Sequence, residues 1–313
     1  MNLFIDNLVS PLVLAFLLGF ASQAAGGNMR LAEPARETIA IFLLLAIGLK
    51  GGEALSHAQL SMLALPLGTT IAAGLATCLS AFAIARIALR ATRHDAAAMG
   101  AHYGSASAVT FIAASQFVAD RGTPTDDWMS ALLAVLEIPA ILLAVLLVKR
   151  GSSQISSTLR EVFLARASVL LLGGLLIGFV SGPSRVEPVM PLFKGLFQGV
   201  LMLYLLDLGA MAAAGLRSVR GSLGRLVVFG IAVPLLHGCI ATLLGGALGF
   251  APANAAVFGT LVASASYIAA PAAVRTSIPE ANVSMCIVAA LTVTFPFNLL
   301  AGIPLFYALA TAG

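Results

Sequence analysis

Four serines stand where an apolar helix would otherwise run on unbroken. Ser105 and Ser107 lie in GSASAVTF, which begins at Gly104; Ser264 and Ser266 lie in ASASYIAAP, with Tyr267 directly after them. The two stretches are 159 positions apart. A helix that stops and restarts inside a membrane leaves backbone N–H groups without intrahelical partners, and each is costly in hydrocarbon unless a cavity, water or ligand satisfies it. Two such restarts with hydroxyls beside them form a set of donors carrying no formal charge. That set suits a small hydrated anion that must bind and then leave. The competing reading is packing, because small residues also let membrane helices approach closely. Paired as they are, Gly104, Ser105, Ser107, Ser264, Ser266 and Tyr267 are the candidate substrate-binding residues.

Two acids complete the chemistry. Glu137 sits in LEIPA, two residues before Pro139, where the proline frees a backbone carbonyl; Asp207 lies within the apolar run YLLDLG. An acid within a membrane segment is expensive and is commonly tied to ion movement. A carboxylate with carbonyl and hydroxyl oxygens suits a hard cation such as Na+, and a protonatable carboxylate would serve H+ instead. Glu137 and Asp207 are therefore the coupling-ion candidates, the alternative for each being an acid that joins helices. His102, His237 and Tyr267 are further candidates to line a pathway. Cys78, Cys239 and Cys286 are isolated in apolar segments without metal-ligand spacing and read as packing residues. No cofactor is expected, and no metal beyond Na+ as a coupling ion.

The elements that must hold these residues are membrane helices. The chain of 313 residues is 60% hydrophobic and 10% charged, with a mean hydropathy of +1.02, which leaves too little polar surface to cover a soluble globule. Apolar stretches near or above the roughly 20 residues that cross about 30 Å of hydrocarbon recur along it. Ten are read: Leu8 to Ala24, Thr38 to Ala54, Leu60 to Leu89, Ala96 to Ala119, Trp128 to Val148, Val162 to Val180, Leu196 to Ala214, Leu226 to Phe250, Ala255 to Val274 and Val283 to Ala310. The first is kept as a helix rather than a signal peptide, because Asp6 precedes it and no Lys or Arg does.

Charge placement orients the ten segments. The connectors after odd-numbered segments hold thirteen of the seventeen Lys and Arg residues, among them Arg30, Arg36, Arg93, Lys149, Arg150 and Arg220. The other side has only Lys50, Arg121, Arg185 and Lys194. The positive-inside rule then puts the first set in the cytoplasm and both termini outside. The formal charge of +4 is thus a topology signal, and no nucleic-acid partner is expected.

The serine motif is one part of a longer repeat. LLGFAS (Leu17 to Ser22) resembles LIGFVS (Leu176 to Ser181), and LLLAIG (Leu43 to Gly48) resembles YLLDLG (Tyr204 to Gly209), at offsets of 159 and 161. This divides the chain into five-helix halves, 1–150 and 151–313. Five is odd, so the second half enters the membrane from the opposite face. The expected fold is an all-α membrane protein of ten transmembrane helices, an inverted 5+5 repeat with helices 4 and 9 broken at the serines, a plan common among secondary transporters.

Taken in order, LLLAIGLKGG, YGSASAVTF, LEIPAILLA, PLFKGLFQGVLMLYLLDLG, VPLLHG and SASYIAAPAAVRTSIPEAN resemble the sodium-dependent bicarbonate transporter family. The resemblance covers nearly the whole chain. It implies gate and core parts drawn from both repeats, a homotrimer in the inner (plasma) membrane with the outside termini therefore periplasmic, Na+-coupled bicarbonate uptake, and a substrate region at Ser105, Ser107, Ser264 and Ser266. Three departures stand out. Tyr267 replaces the aspartate that ends the Ser-Ser-Ser-Asp motif of cyanobacterial members, Glu137 replaces an aspartate, and the connector of about Lys149 to Glu161 is short beside the family's long cytoplasmic loop. The family's PII-like regulator is a partner the resemblance implies, and the short connector makes it a weak expectation. The function expected is Na+-dependent bicarbonate uptake across the lipid bilayer. The alternatives are a Na+- or H+-coupled permease for another small anion or monocarboxylate and, in a different class, an intramembrane enzyme. No recognisable catalytic spacing of Ser, His and acid supports the last, and the chain is read as no enzyme.

Overall fold

The computed structural model describes residues 3–57, 60–148, 160, 163–218 and 223–312. The boundary between the halves at 150 and 151, and the cations Lys149, Arg150 and Arg220, lie outside the described residues. Within them every regular element is helical. In order these are α1 (Leu3–Leu8), α2 (Pro11–Ala24), α3 (Glu33–His57), α4 (Leu60–Ala88), α5 (Arg93–Gly104), α6 (Ala108–Ala119), α7 (Met129–Leu136) and α8 (Pro139–Val148). Then follow α9 (Arg166–Val186), α10 (Met190–Ser218), α11 (Leu223–Ala247), α12 (Pro252–Ala263), α13 (Ala269–Ser277), α14 (Val283–Ile287), α15 (Phe295–Phe297) and α16 (Ile303–Ala312). Among the described residues six helical stretches are long and apolar enough to cross a membrane: Glu33–His57, Leu63–Ala88, Met129–Val148, Arg166–Leu216, Gly224–Ala247 and Val283–Ala312.

Local chemistry sets the ends of these elements. Ser10 caps α2 by accepting from the Val13 amide at 3.4 Å, with Pro11 at the first helical position. The first apolar segment therefore begins at Pro11 rather than Leu8, and Leu3–Leu8 forms a short helix of its own. Thr92 caps α5 through the Asp95 amide. At Gly182, φ is 67°, a left-handed conformation that suits glycine, and with Pro183 it kinks the end of α9 before the turn into α10. The last stretch carries π turns at Val288–Thr294 and Asn298–Gly302 on either side of α15, whose Pro296 cannot donate to a regular ladder.

The helices form two bundles. In the first, α2 packs on α10, α3 packs on α9, and α3 also meets α10. The contacts are backbone on backbone. A Cβ on Gly19 would fall within the Leu206 carbonyl, and one on Gly209 within the Phe16 carbonyl. On the other side Gly178 meets Leu49 and Gly48 meets Leu171 and Gly174 in the same way. The related sequence motifs thus exchange partners: LLGFAS of α2 lies on the YLLDLG helix, and LIGFVS of α9 lies on the LLLAIG helix. The second bundle joins α4, α5 and α8 on one side with α6, α11, α12 and α16 on the other, and α7 packs on α4 of this bundle as well as on α3 and α9 of the first. Large apolar side chains such as Ile87, Leu176, Val180, Val228 and Leu243 remain exposed, as a lipid-facing surface requires.

Candidate functional site

The two serine stretches meet inside the second bundle. Extended backbone at Ser105 and Ser107 separates α5 from α6, and the chain leaves α12 at Ser264 in an extended conformation. All four serines are buried. The breaks cross and hydrogen-bond to each other: the Ser107 amide donates to Ser264 Oγ at 2.9 Å, and the Ser266 amide donates to the His102 carbonyl at 2.8 Å. His102 Nδ1 lies 2.7 Å from the Ser266 carbonyl. Each break therefore satisfies part of the other, which is how irregular backbone persists at this depth.

The hydroxyls serve the restarting helices first. Ser107 caps α6, its Oγ accepting from the Thr110 amide at 3.2 Å and from Thr110 Oγ1 at 3.0 Å. Ser266 Oγ accepts from the Ala270 amide at 3.1 Å in the first turn of α13. Ser264 Oγ donates to the Leu261 carbonyl at 2.7 Å, and Ser105 Oγ to the Glu137 carbonyl at 3.2 Å. That last bond brings Glu137 to the edge of the crossing. Its side chain is buried and faces the Ser168 hydroxyl of α9 in the other bundle, without closing a hydrogen bond by geometry.

Three polar atoms around the crossing have no partner among the described residues: His102 Nε2, Tyr267 hydroxyl and Asn298 Oδ1. His102 and Asn298 are fully buried. Buried polar groups are rarely left unpaired, so these three atoms are open to a water or a ligand. Tyr267 is half-buried, stacks edge-on against Phe295 with ring centroids 5.6 Å apart, and turns its hydroxyl toward Ser107. Asn298 escaped the sequence reading. Its Nδ2 donates to the Ala263 carbonyl at 2.9 Å, at the last residue of α12. The signal was a lone amide in the apolar run FPFNLL, two residues after Pro296.

Two other candidates are placed differently. Gly104 serves the close approach of helices: a Cβ there would sit 2.5 Å from Ala140 Cβ and 2.7 Å from the Gly74 carbonyl oxygen. Asp207 makes no hydrogen bond to the crossing. Its carboxylate is fully buried in the first bundle, where Oδ2 accepts from Arg36 Nε at 2.6 Å and Oδ1 from the Leu31 amide at 2.7 Å. Arg36 Nη2 also donates to the Leu31 carbonyl at 3.2 Å, closing a ring that fastens the α2–α3 connector to α10. His237 lies away from the breaks, its Nε2 2.6 Å from Ser80 Oγ between α11 and α4.

Chemically, the crossing offers amides, hydroxyls, an imidazole and an amide oxygen, with the backbone carbonyl of Glu137 at its edge and the Glu137 carboxyl turned toward Ser168. Among the described residues no group of three or more His, Cys, Asp and Glu comes together. A cation here would be held mainly by neutral oxygens, which suits a hard monovalent ion. Residues 11–311 match the family model of the Na+-dependent bicarbonate transporter superfamily. No curated protein matches the chain.

Proposed function

The chain belongs to the Na+-dependent bicarbonate transporter superfamily, and from that premise we propose that it is a secondary transporter that takes up bicarbonate with Na+ at the crossing of its two broken helices. The observation that carries this is the cluster of unpartnered buried polar atoms, His102 Nε2, Tyr267 hydroxyl and Asn298 Oδ1, beside two reciprocally bonded helix breaks. Ser105, Ser107, Ser264 and Ser266 build the crossing. The first-turn amides of α6 and α13 supply positive dipole ends for the anion. Glu137 is the acid available for the cation, since both oxygens of Asp207 are engaged by Arg36 and Leu31.

The partner exchange of Gly19, Gly48, Gly178 and Gly209 between the two bundles supports an inverted repeat of five plus five membrane segments. Charge placement supports both termini outside, and the inner-membrane location rests on the family. The homotrimer and the PII-like regulator rest on the family alone. A second reading keeps the architecture and changes the cargo to another small anion or the driver to H+. Tyr267, an un-ionised side chain at a position where the cyanobacterial relatives carry an acid, favours it. Uptake of radiolabelled bicarbonate by proteoliposomes, driven by an inward Na+ gradient or by an inward proton gradient, separates the two. Catalysis without transport would leave both gradients idle.

A further inference from the structure

A cavity of about 340 Å3 lies between the bundles, bounded by α3 and α10 on one side and by α6, α7 and the connector between them on the other. Its wall includes Phe111 and Ile112, about one helical turn beyond the Ser107 cap, so it runs along α6 toward the crossing. Lys50 Nζ lies 2.9 Å from Asp127 Oδ1 beside it. This ion pair ties α3 of the first bundle to the α6–α7 connector of the second. The other ion pairs among the described residues, Arg36 with Asp207 and Arg166 with Glu37, stay within the first bundle.

The charges here are unequally engaged. Asp126 accepts from Asn254 Nδ2 at 2.8 Å and from Trp128 Nε1 at 3.0 Å. Asp127 has Lys50, while Lys194 on the α10 wall has no ion pair among the described residues. Ser115 Oγ, also in the wall, is buried without a partner. Side chains of Lys50 and Asp127 are 53% and 44% exposed, and an exposed pair of this kind is weak enough for a dissolved anion to displace. Gly51, the next residue, touches Ser130 of α7 so closely that a Cβ would overlap its hydroxyl.

We propose that this cavity is a second binding site, for a small monovalent oxyanion on its way to the crossing, and that Lys50 holds the anion by releasing Asp127. The ion pair is then both the closure between the bundles and the competitor of the cargo. The proposal rests on the transport reading, and its test is built so that the two can fail separately.

Asp127→Asn frees Lys50 and is expected to lower the apparent KM for bicarbonate uptake. Lys50→Gln removes a charge-assisted hydrogen bond to the anion and is expected to raise it by roughly tenfold. A purely structural bridge would make both substitutions act in the same direction, and that result overturns the proposal. The second measurement needs no transport. A Gln198→Cys variant, with the partly exposed Cys239 changed to Ser, is labelled on the cavity wall by a membrane-impermeant thiol reagent in the presence of bicarbonate, formate or nitrate. Oxyanions should slow labelling when Lys50 is present and fail to do so in Lys50→Gln. Protection without any uptake keeps the cavity site and removes the transport reading. Protection that is absent, or that survives Lys50→Gln, removes the cavity site whatever the uptake shows.

Discussion

Replacing Arg36 and Asp207 one at a time and together decides what the buried carboxylate of α10 is for. Asp207 is fully buried, and the Arg36 side chain is 21% exposed. Arg36→Met strands the buried acid in an apolar bundle, with only the Leu31 amide left to it, at a cost of about 3–5 kcal/mol. Asp207→Asn keeps an oxygen for the Leu31 amide, and the guanidinium left behind can turn toward water. It loses about 1.5–3 kcal/mol, the range for a hydrogen bond to a charged group. The double variant Arg36→Met with Asp207→Leu should recover most of the larger loss, because apolar replacement of a buried pair is often near neutral. Thermal unfolding of the purified protein in detergent, followed through its single tryptophan, Trp128, reads all four proteins in Na+ and in K+. The expected order is wild type, then the double variant close to it, then Asp207→Asn, then Arg36→Met, the same in both salts. Equal losses in the two single variants would refute the ion-pair reasoning. So would a stabilisation by Na+ that disappears only in Asp207→Asn, which would make the acid a cation ligand.

Three further outcomes follow from the packing. Ser264→Ala removes the acceptor of the Ser107 amide and leaves that N–H buried, so it should cost about 1–3 kcal/mol of stability, measurable by the same unfolding assay; Ser264→Thr, which retains a hydroxyl, should lose less. Gly209→Ala places a methyl against the Phe16 carbonyl and should destabilise by about 1–3 kcal/mol through overpacking, again read as a lower unfolding midpoint. Single cysteines at Thr125 and Ala312 should react with impermeant thiol reagents from the outer face, and one at Glu280 only from the cytoplasmic face; reversed labelling of Glu280 would invert the topology drawn from the charges.

What the sequence disclosed and what it hid divide along the distance over which each interaction acts. The breaks were legible because Ser105, Ser107, Ser264 and Ser266 are polar residues inside apolar runs, and because hydroxyl capping of a helix start is local. The exchange between them, Ser107 amide to Ser264 Oγ, joins residues 157 positions apart. Nothing in either motif specifies it. Asp207 was visible as a membrane acid, and Arg36 as a cytoplasmic charge after the first segment. Their pairing was hidden because the connector folds back onto α10 across 171 positions. Asn298 was overlooked because a single amide in an apolar stretch reads as incidental until its Nδ2 is seen on the Ala263 carbonyl. The π turns of the last helix depend on how Pro296 is absorbed by its neighbours, which composition does not encode.

The proposal that the crossing binds the anion is tested most directly by Tyr267→Phe. Phenylalanine keeps the edge-on packing against Phe295 and removes only a hydroxyl that has no geometric hydrogen-bond partner among the described residues. The measurement is the bicarbonate concentration dependence of Na+-driven uptake in proteoliposomes, wild type beside Tyr267→Phe at matched reconstitution. The expected result is an apparent KM raised by roughly 2- to 10-fold, the equivalent of one hydrogen bond of about 0.5–1.5 kcal/mol. Unchanged KM and unchanged maximal rate would contradict the assignment of the crossing as the anion site.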